Sequence, residues 1–207
     1  MSLLIVRHGE TALNAARVLQ PADTPLSARG IAQAEALAQR LAECRIALIL
    51  SSDLPRALRT AQAISARCGT MVQVTPLLRE RNFGDLRGQP YDRLPRDPLR
   101  TRDAPPNGES ADEFEARVAQ AFAEIVRRRA GLGDDLVVVT HGLVIGAMLA
   151  RHVDLADAGD LPGHLGNTGL SVIGSVAPHR AELLNCTAHL LGQIDRIDDN
   201  ARALSGG

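Results

Sequence analysis

The sequence predicts an α/β fold, a three-layer α/β/α sandwich built on a mostly parallel central sheet. Two patterns carry that prediction. Several short runs are apolar throughout instead of alternating, which is the mark of strands buried on both faces. Between them lie segments whose apolar residues recur at helical spacing. A third observation concerns how the runs end. Three of them break off into polar clusters: Arg7-His8-Gly9, Ser51-Ser52-Asp53 and Thr140-His141-Gly142. In an open α/β sheet the ligand crevice lies beyond the carboxyl ends of the strands, so these clusters are placed to converge.

Taken in order, Leu3–Val6 is the first strand. Ser27 caps a helix with Ile31, Ala34, Leu37, Ala38 and Leu41 on its apolar face. Ile46–Leu50 is a second strand, and Asp53, with Pro55 behind it, opens the next helix, which carries Ala57, Leu58, Ala61 and Ile64. Met71–Val74 is a short third strand. Residues 79–109 are broken by Pro and Gly, and regular structure resumes beyond them, so the part from 81 to 109 reads as a lid or specificity loop. Ser110 and Glu113 form a capping box for a long helix with Phe114, Val118, Ala121, Phe122 and Ile125 on one face. Its end, Arg127-Arg128-Arg129, reads as a solvated terminus whose cations complement the helix dipole. Leu136–Val139 is the most hydrophobic strand and leads into a helix through Met148. Leu170–Ile173 and Ala181–Leu184 complete a single domain spanning 1–207, with 195–207 expected as a flexible tail.

Composition narrows the function. The chain has 207 residues, a net charge of −1, one Tyr, three Phe and no Trp. That leaves neither a basic surface nor stacking platforms for nucleic acid. No window reaches the roughly 18 apolar residues of a membrane span, and the opening apolar run is too short for a signal peptide, so a cytoplasmic location is expected. Cys44, Cys68 and Cys186 are isolated and odd in number, which suits reduced, mostly buried thiols. Asp195, Asp198 and Asp199 resemble a metal cluster only superficially, and neither metal nor cofactor is expected. All 23 basic residues are arginines, so any anion site must use guanidinium forks, which match phosphate and carboxylate.

Two such arginines can grip a tetrahedral dianion. An imidazole near neutral pH is a nucleophile towards phosphorus, a second can stabilise the transferring group, and a carboxylic acid can protonate the leaving oxygen. Gly9 and Gly142 would let an anion approach the backbone, and Gly142 opens a helix whose free amides favour negative charge.

With Arg7-His8-Gly9-Glu10-Thr11 followed by Asn14, the chain resembles the RHGET-x-x-N motif of the histidine phosphatase superfamily, the phosphoglycerate mutase-like proteins. The likeness continues through Asp23–Ser27, Gly30 with Gln33, Ser51-Ser52 with Arg56 and Thr60, Leu78–Gly84, Gly108-Glu109-Ser110, His141-Gly142 and Asn167. It implies a phosphohistidine on His8, phosphoryl binding by Arg7, Arg56 and His141 with help from Asn14, and Glu80 as acid and then base. Gln20, Gly142, Arg81, Arg93 and Arg96 complete the expected substrate-binding set. Pro21 departs from the glycine that many relatives carry. The expected activity is metal-independent hydrolysis of a small phosphorylated metabolite, similar to the broad-specificity and α-ribazole phosphate phosphatases. Phosphoglycerate mutase-type transfer and a non-catalytic phospho-ligand-binding module are the alternatives. The sequence leaves monomer and homodimer open.

Overall fold

A computed structural model describes residues 1–156 and 158–191; the expected tail at 195–207 and its aspartates lie outside them. Six strands form one sheet: β1 (Ser2–Arg7), β2 (Ile46–Ser51), β3 (Val72–Val74), β4 (Asp135–Thr140), β5 (Leu170–Gly174) and β6 (Ala181–Cys186). Their spatial order is β3-β2-β4-β1-β5-β6. The β3/β2, β2/β4 and β4/β1 pairs are parallel, whereas β5 runs antiparallel to both of its neighbours.

The runs are apolar throughout because helices cover both faces. Leu3, Ile5, Leu48, Leu50, Leu136 and Val138 face α4 (Ala111–Ala130) and α5 (Gly142–His152). Leu4, Val6, Ile49, Val137 and Val139 face α2 (Ala28–Leu41) and α3 (Pro55–Cys68). Each fully buried Leu, Ile or Val contributes about 1.5–3 kcal/mol relative to exposure, and the two faces share that load. A single-turn helix, α1 (Ala12–Ala15), follows β1 and was not expected from periodicity.

The caps form as expected: Ser27 accepts from the Gly30 N–H, and Ser110 and Glu113 form the reciprocal box at α4. Several surface details differ. Ile31 is exposed at 37%, and the buried stripe of α2 runs instead through Gly30, Ala34, Leu37, Ala38 and Leu41. Asp53 does not cap α3, whose preceding residue Leu54 supplies no side-chain bond; the Asp53 carboxylate pairs with Arg79. Met71 lies outside β3 and is exposed. Arg127 and Arg128 pair with Glu124, but Arg129 is buried at 5% exposure and donates to the Leu132 carbonyl. The three thiols are free and half-buried.

Residues 76–109 contain three single 3₁₀ turns and are strapped to the body. Backbone bonds join 17–19 to 88–91: Leu19 N–H to Gln89, Gly88 N–H to Leu19, and Tyr91 N–H to Arg17. Arg117 on α4 grips Glu109 with two bonds of 2.8 Å and donates to the Leu77 and Arg79 carbonyls.

Gly9 has a packing role that the sequence pattern did not suggest. A Cβ there would lie 2.4 Å from the Gly30 carbonyl, and one on Gly30 would lie 2.0 Å from the Glu10 carbonyl. The two glycines let α2 press against the loop behind β1. Gly30→Ala should therefore cost about 1–3 kcal/mol through overpacking, read as a lower urea midpoint. Gly133→Ala, where a Cβ meets nothing within 4 Å, should shift stability by less than about 0.5 kcal/mol. Equal midpoints for the two variants would contradict this packing.

Candidate active site

The parallel register sets Arg7 beside Thr140 and Ser51 beside Val139, so the ends of β1, β4 and β2 lie side by side. His8 continues this edge through its N–H to the Thr140 carbonyl, and Ser52 through its N–H to Val139. The result brings the His8 and His141 rings to 5.1 Å between centroids, tilted by 58°.

His8 Nδ1 lies 2.6 Å from the Gly9 carbonyl. A carbonyl can only accept, so Nδ1 carries the proton and Nε2 keeps its lone pair. Burial, reinforced by the charges of Arg56 and Arg7, holds the His8 pKa well below its ordinary value, which keeps the ring neutral. Its backbone carbonyl is fixed by the Asn167 side chain at 3.1 Å and the Thr168 N–H at 3.3 Å.

His141 is fully buried at the start of α5, and its Nε2 lies 2.9 Å from Ser52 Oγ. That hydroxyl already accepts from the Leu54 N–H. Its own hydrogen is available to Nε2, and when it donates there the His141 proton sits on Nδ1. Nδ1 is buried and has no partner. Burial first, then His8, Arg56 and Arg7, hold this pKa well below its ordinary value too.

Arg56, in the first turn of α3, is 2% exposed and donates to the Pro21 and Ala22 carbonyls at 3.3 and 3.4 Å. The unusual Pro21 loop thus cradles this guanidinium through its backbone. Burial, with Arg87 and Arg7 nearby and against the attraction of Glu80, lowers its pKa to about 10, so it stays cationic at neutral pH. Arg7 donates to the Leu165 carbonyl. The Nε atoms of both arginines are buried and unpartnered, so each guanidinium retains capacity for an anion.

Glu80 accepts from the Arg81 N–H at 3.0 Å and from the Leu143 N–H at 3.2 Å. The second donor belongs to the first turn of α5. Burial nevertheless raises its carboxyl pKa, opposed by those two bonds and by Arg56 and Arg7. Its sequence neighbour Arg79 is not its ion partner, being paired with Asp53.

Asn14 lines the cavity while serving as the reciprocal cap of α1 with Thr11, and its side-chain nitrogen donates to Asn167. Gln20 lines the cavity and accepts from Thr11 Oγ1. Gly142 also lines it, and a Cβ there would sit in ordinary contact with Arg7, 3.5 Å from Nε.

Two expected substrate contacts need correction, and a third, Arg81, lines the cavity with its guanidinium already engaged. The Arg81 guanidinium donates to the carbonyls of Glu109, Pro98, Thr101 and Asp103, so its fork is spent on closing the loop. Arg93 and Arg96 are exposed and lie outside the cavity lining. Arg17, Arg87 and Tyr91 line it along with Arg81. Sequence reasoning passed over Arg17 and Tyr91 because no motif or period marks them. Ser52 and Asn167 were quoted as likenesses but assigned no task, and only the contacts with His141 and His8 reveal one.

The cavity is about 870 Å³, larger than a phosphate requires. Its lining is cationic at Arg7 and Arg56 and includes the apolar residues Leu94, Leu99, Pro162 and Leu165. Among the described residues no group of three His, Cys, Asp or Glu has metal-holding geometry, and no helix is long and apolar enough to cross a membrane.

Comparison with known proteins agrees with this geometry. Residues 3–186 match the model of the histidine phosphatase superfamily (branch 1). The protein named probable phosphoglycerate mutase GpmB of Yersinia pestis is 35% identical over 181 residues, covering 83% of each chain. Mycobacterial glucosyl-3-phosphoglycerate phosphatase, solved with VO3, superposes with a TM-score of 0.75 at 29% identity, covering 89% of this chain and 99% of that one. The α-ribazole phosphatase of Shigella flexneri gives 0.77 at 27% identity over 91% and 98%. With its fold, its paired buried histidines and a family match along nearly its whole described length, the chain belongs to branch 1 of the histidine phosphatase superfamily.

Proposed function

We propose that the protein hydrolyses small phosphomonoesters through a phosphohistidine on His8. One observation carries the proposal: a neutral His8 with its Nε2 lone pair is buried against two guanidiniums that each keep an unpartnered Nε. Arg7 and Arg56 bind the phosphoryl oxygens, and the His141 Nδ1–H supplies a further donor. The lone pair on His8 Nε2 attacks phosphorus, the bond from phosphorus to the ester oxygen breaks, and protonated Glu80 gives its proton to the departing oxygen. In the second step the Glu80 carboxylate takes a proton from water. The water oxygen attacks phosphorus, the P–N bond breaks, and phosphate leaves. The phosphatases among the structural relatives support water as the acceptor. The mutase name of the Yersinia relative supports a second reading, in which a substrate hydroxyl takes the phosphoryl group instead. The cytoplasm fits a reaction on soluble metabolites.

Brief exposure to a phosphodonor, followed by mass spectrometry at neutral or alkaline pH, should find phosphate on His8 and none in His8→Ala. Labelling elsewhere, or none with turnover intact, would sink the mechanism. Glu80→Gln should slow alkyl phosphates about 100-fold in kcat but 4-nitrophenyl phosphate less than about tenfold, since nitrophenolate leaves without a proton. Glu80 acts first in its protonated form. Its raised pKa therefore sets an alkaline limb in kcat for alkyl esters, lost as pH rises, and Glu80→Gln should abolish that limb. Two cationic guanidiniums supply the charge that a metal would, so activity should survive chelators. Loss in chelator with recovery on added magnesium would contradict the assignment.

A further inference from the structure

A third histidine is tied to the nucleophile from outside the crevice. Beyond β6 the chain makes a single 3₁₀ turn, Ala188–Leu190, against α2. There the half-buried His189 ring lies between Arg40, in the last turn of α2, and Thr168. Arg40 Nη1 is 3.3 Å from His189 Nδ1, and Thr168 Oγ1 is 2.9 Å from Nε2. Arg40 Nη1 also donates to Cys186 Sγ at 3.2 Å, which pins the guanidinium from a second side.

These contacts fix the direction of each bond. A guanidinium only donates, so Nδ1 supplies a lone pair and the proton of the neutral ring sits on Nε2. Thr168 Oγ1 therefore accepts from Nε2, and its own hydrogen goes to the Asn167 carbonyl at 2.7 Å. An imidazolium would instead point an N–H at Arg40. Burial first, then Arg40, lowers the His189 pKa to about 4, so the ring is neutral at neutral pH.

The corner that His189 reaches is the one that holds the nucleophile. Thr168 is fully buried with a left-handed backbone at φ 53°, a conformation that a β-branched residue rarely adopts. Its N–H and the Asn167 side chain are the two donors to the His8 carbonyl, and the Gly169 carbonyl accepts from the Arg7 N–H. The same terminal segment holds the start of this corner. Asn185 accepts from the Gly166 N–H and donates to the His164 carbonyl, both at 2.8 Å.

We infer that His189 is a positioning residue for the nucleophile: oriented by Arg40 and donating to Thr168, it fixes the corner that sets the His8 backbone. With that backbone it sets the ring that attacks phosphorus. This rests on His8 as the nucleophile and adds a residue to that reading.

His189→Leu removes both bonds, whereas His189→Gln can keep them, its amide N–H facing Thr168 and its oxygen facing Arg40. In single turnover, His189→Leu should slow phosphohistidine formation about 10- to 100-fold. The inhibition constant for inorganic phosphate should change by less than about threefold, because carbonyls elsewhere hold the two guanidiniums. His189→Gln should recover most of the rate. Thr168→Val should match His189→Leu, and the double variant should lose little more. Should His189→Leu fail to fold, Thr168→Val against His189→Gln makes the same comparison. An unchanged rate, additive losses, or no recovery in His189→Gln would overturn the assignment. Nuclear magnetic resonance of histidine-labelled protein without substrate separates it from the chemistry. The His8 ring nitrogen signals, identified by their loss in His8→Ala, should move in His189→Leu and stay in place in His189→Gln. The His189 proton should be found on Nε2. If those signals behave so while wild-type protein forms no phosphoenzyme, the positioning stands and the hydrolase reading falls. A His189 proton on Nδ1, or unmoved His8 signals, would remove the positioning with the hydrolase reading intact.

Discussion

Burial of positive charge without a direct ion pair, with Glu80 the nearest opposing charge, is the constraint on which the site depends. Two guanidiniums and two imidazoles occupy one sheet edge, and taking cations out of water is costly unless something of opposite sign faces them. The fold meets part of that cost with dipoles: the carbonyls of Pro21, Ala22 and Leu165 face the arginines. Both histidines stay uncharged, which limits further repulsion. What stays unmet is aimed at a dianion, so affinity for phosphate and the neutrality of the nucleophile arise from the same burial.

Glu80 is the counterpart of that arrangement. Its carboxyl is fixed by one neighbouring amide and one amide from α5, while Arg117 holds the chain just before it through the Leu77 and Arg79 carbonyls. The Arg117–Glu109 pair is well shielded, with side-chain exposures of 19% and 15%. Removing either partner would therefore leave a shielded charge unpaired, which costs more than the loss of a surface ion pair. An acid must lie within reach of a leaving oxygen to be useful, and here a helix behind the sheet sets that position rather than the loop alone.

Much of this was legible in the chain because strands buried on both faces are written as apolar runs, and their polar ends mark the crevice. Arg7, His8, Arg56, Glu80 and His141 could be gathered from those ends together with the resemblance. The loop arginines could not. Arg81, Arg93 and Arg96 look equivalent to Arg17 and Arg87 in composition, and which of them face inward depends on a backbone ribbon between segments some 70 residues apart. The packing role of Gly9 was hidden for a similar reason: its missing side chain makes room for Gly30, a partner that no local pattern names.

The single reversed strand, β5, has a consequence for how such a site can diversify. Because it runs against β1, pairing Leu170 with Val6, its beginning lies where the parallel strands end. The segment before it therefore arrives at the crevice without a helical crossover, bringing the Leu165 carbonyl, Asn167 and Thr168 to Arg7 and His8. Its inner end braces the nucleophile, while Pro162 and His164 line the outer cavity. Insertions between α5 and Leu165 could thus remodel what the enzyme accepts while the reacting atoms keep their places, a division of labour that a wholly parallel sheet would not provide at this edge.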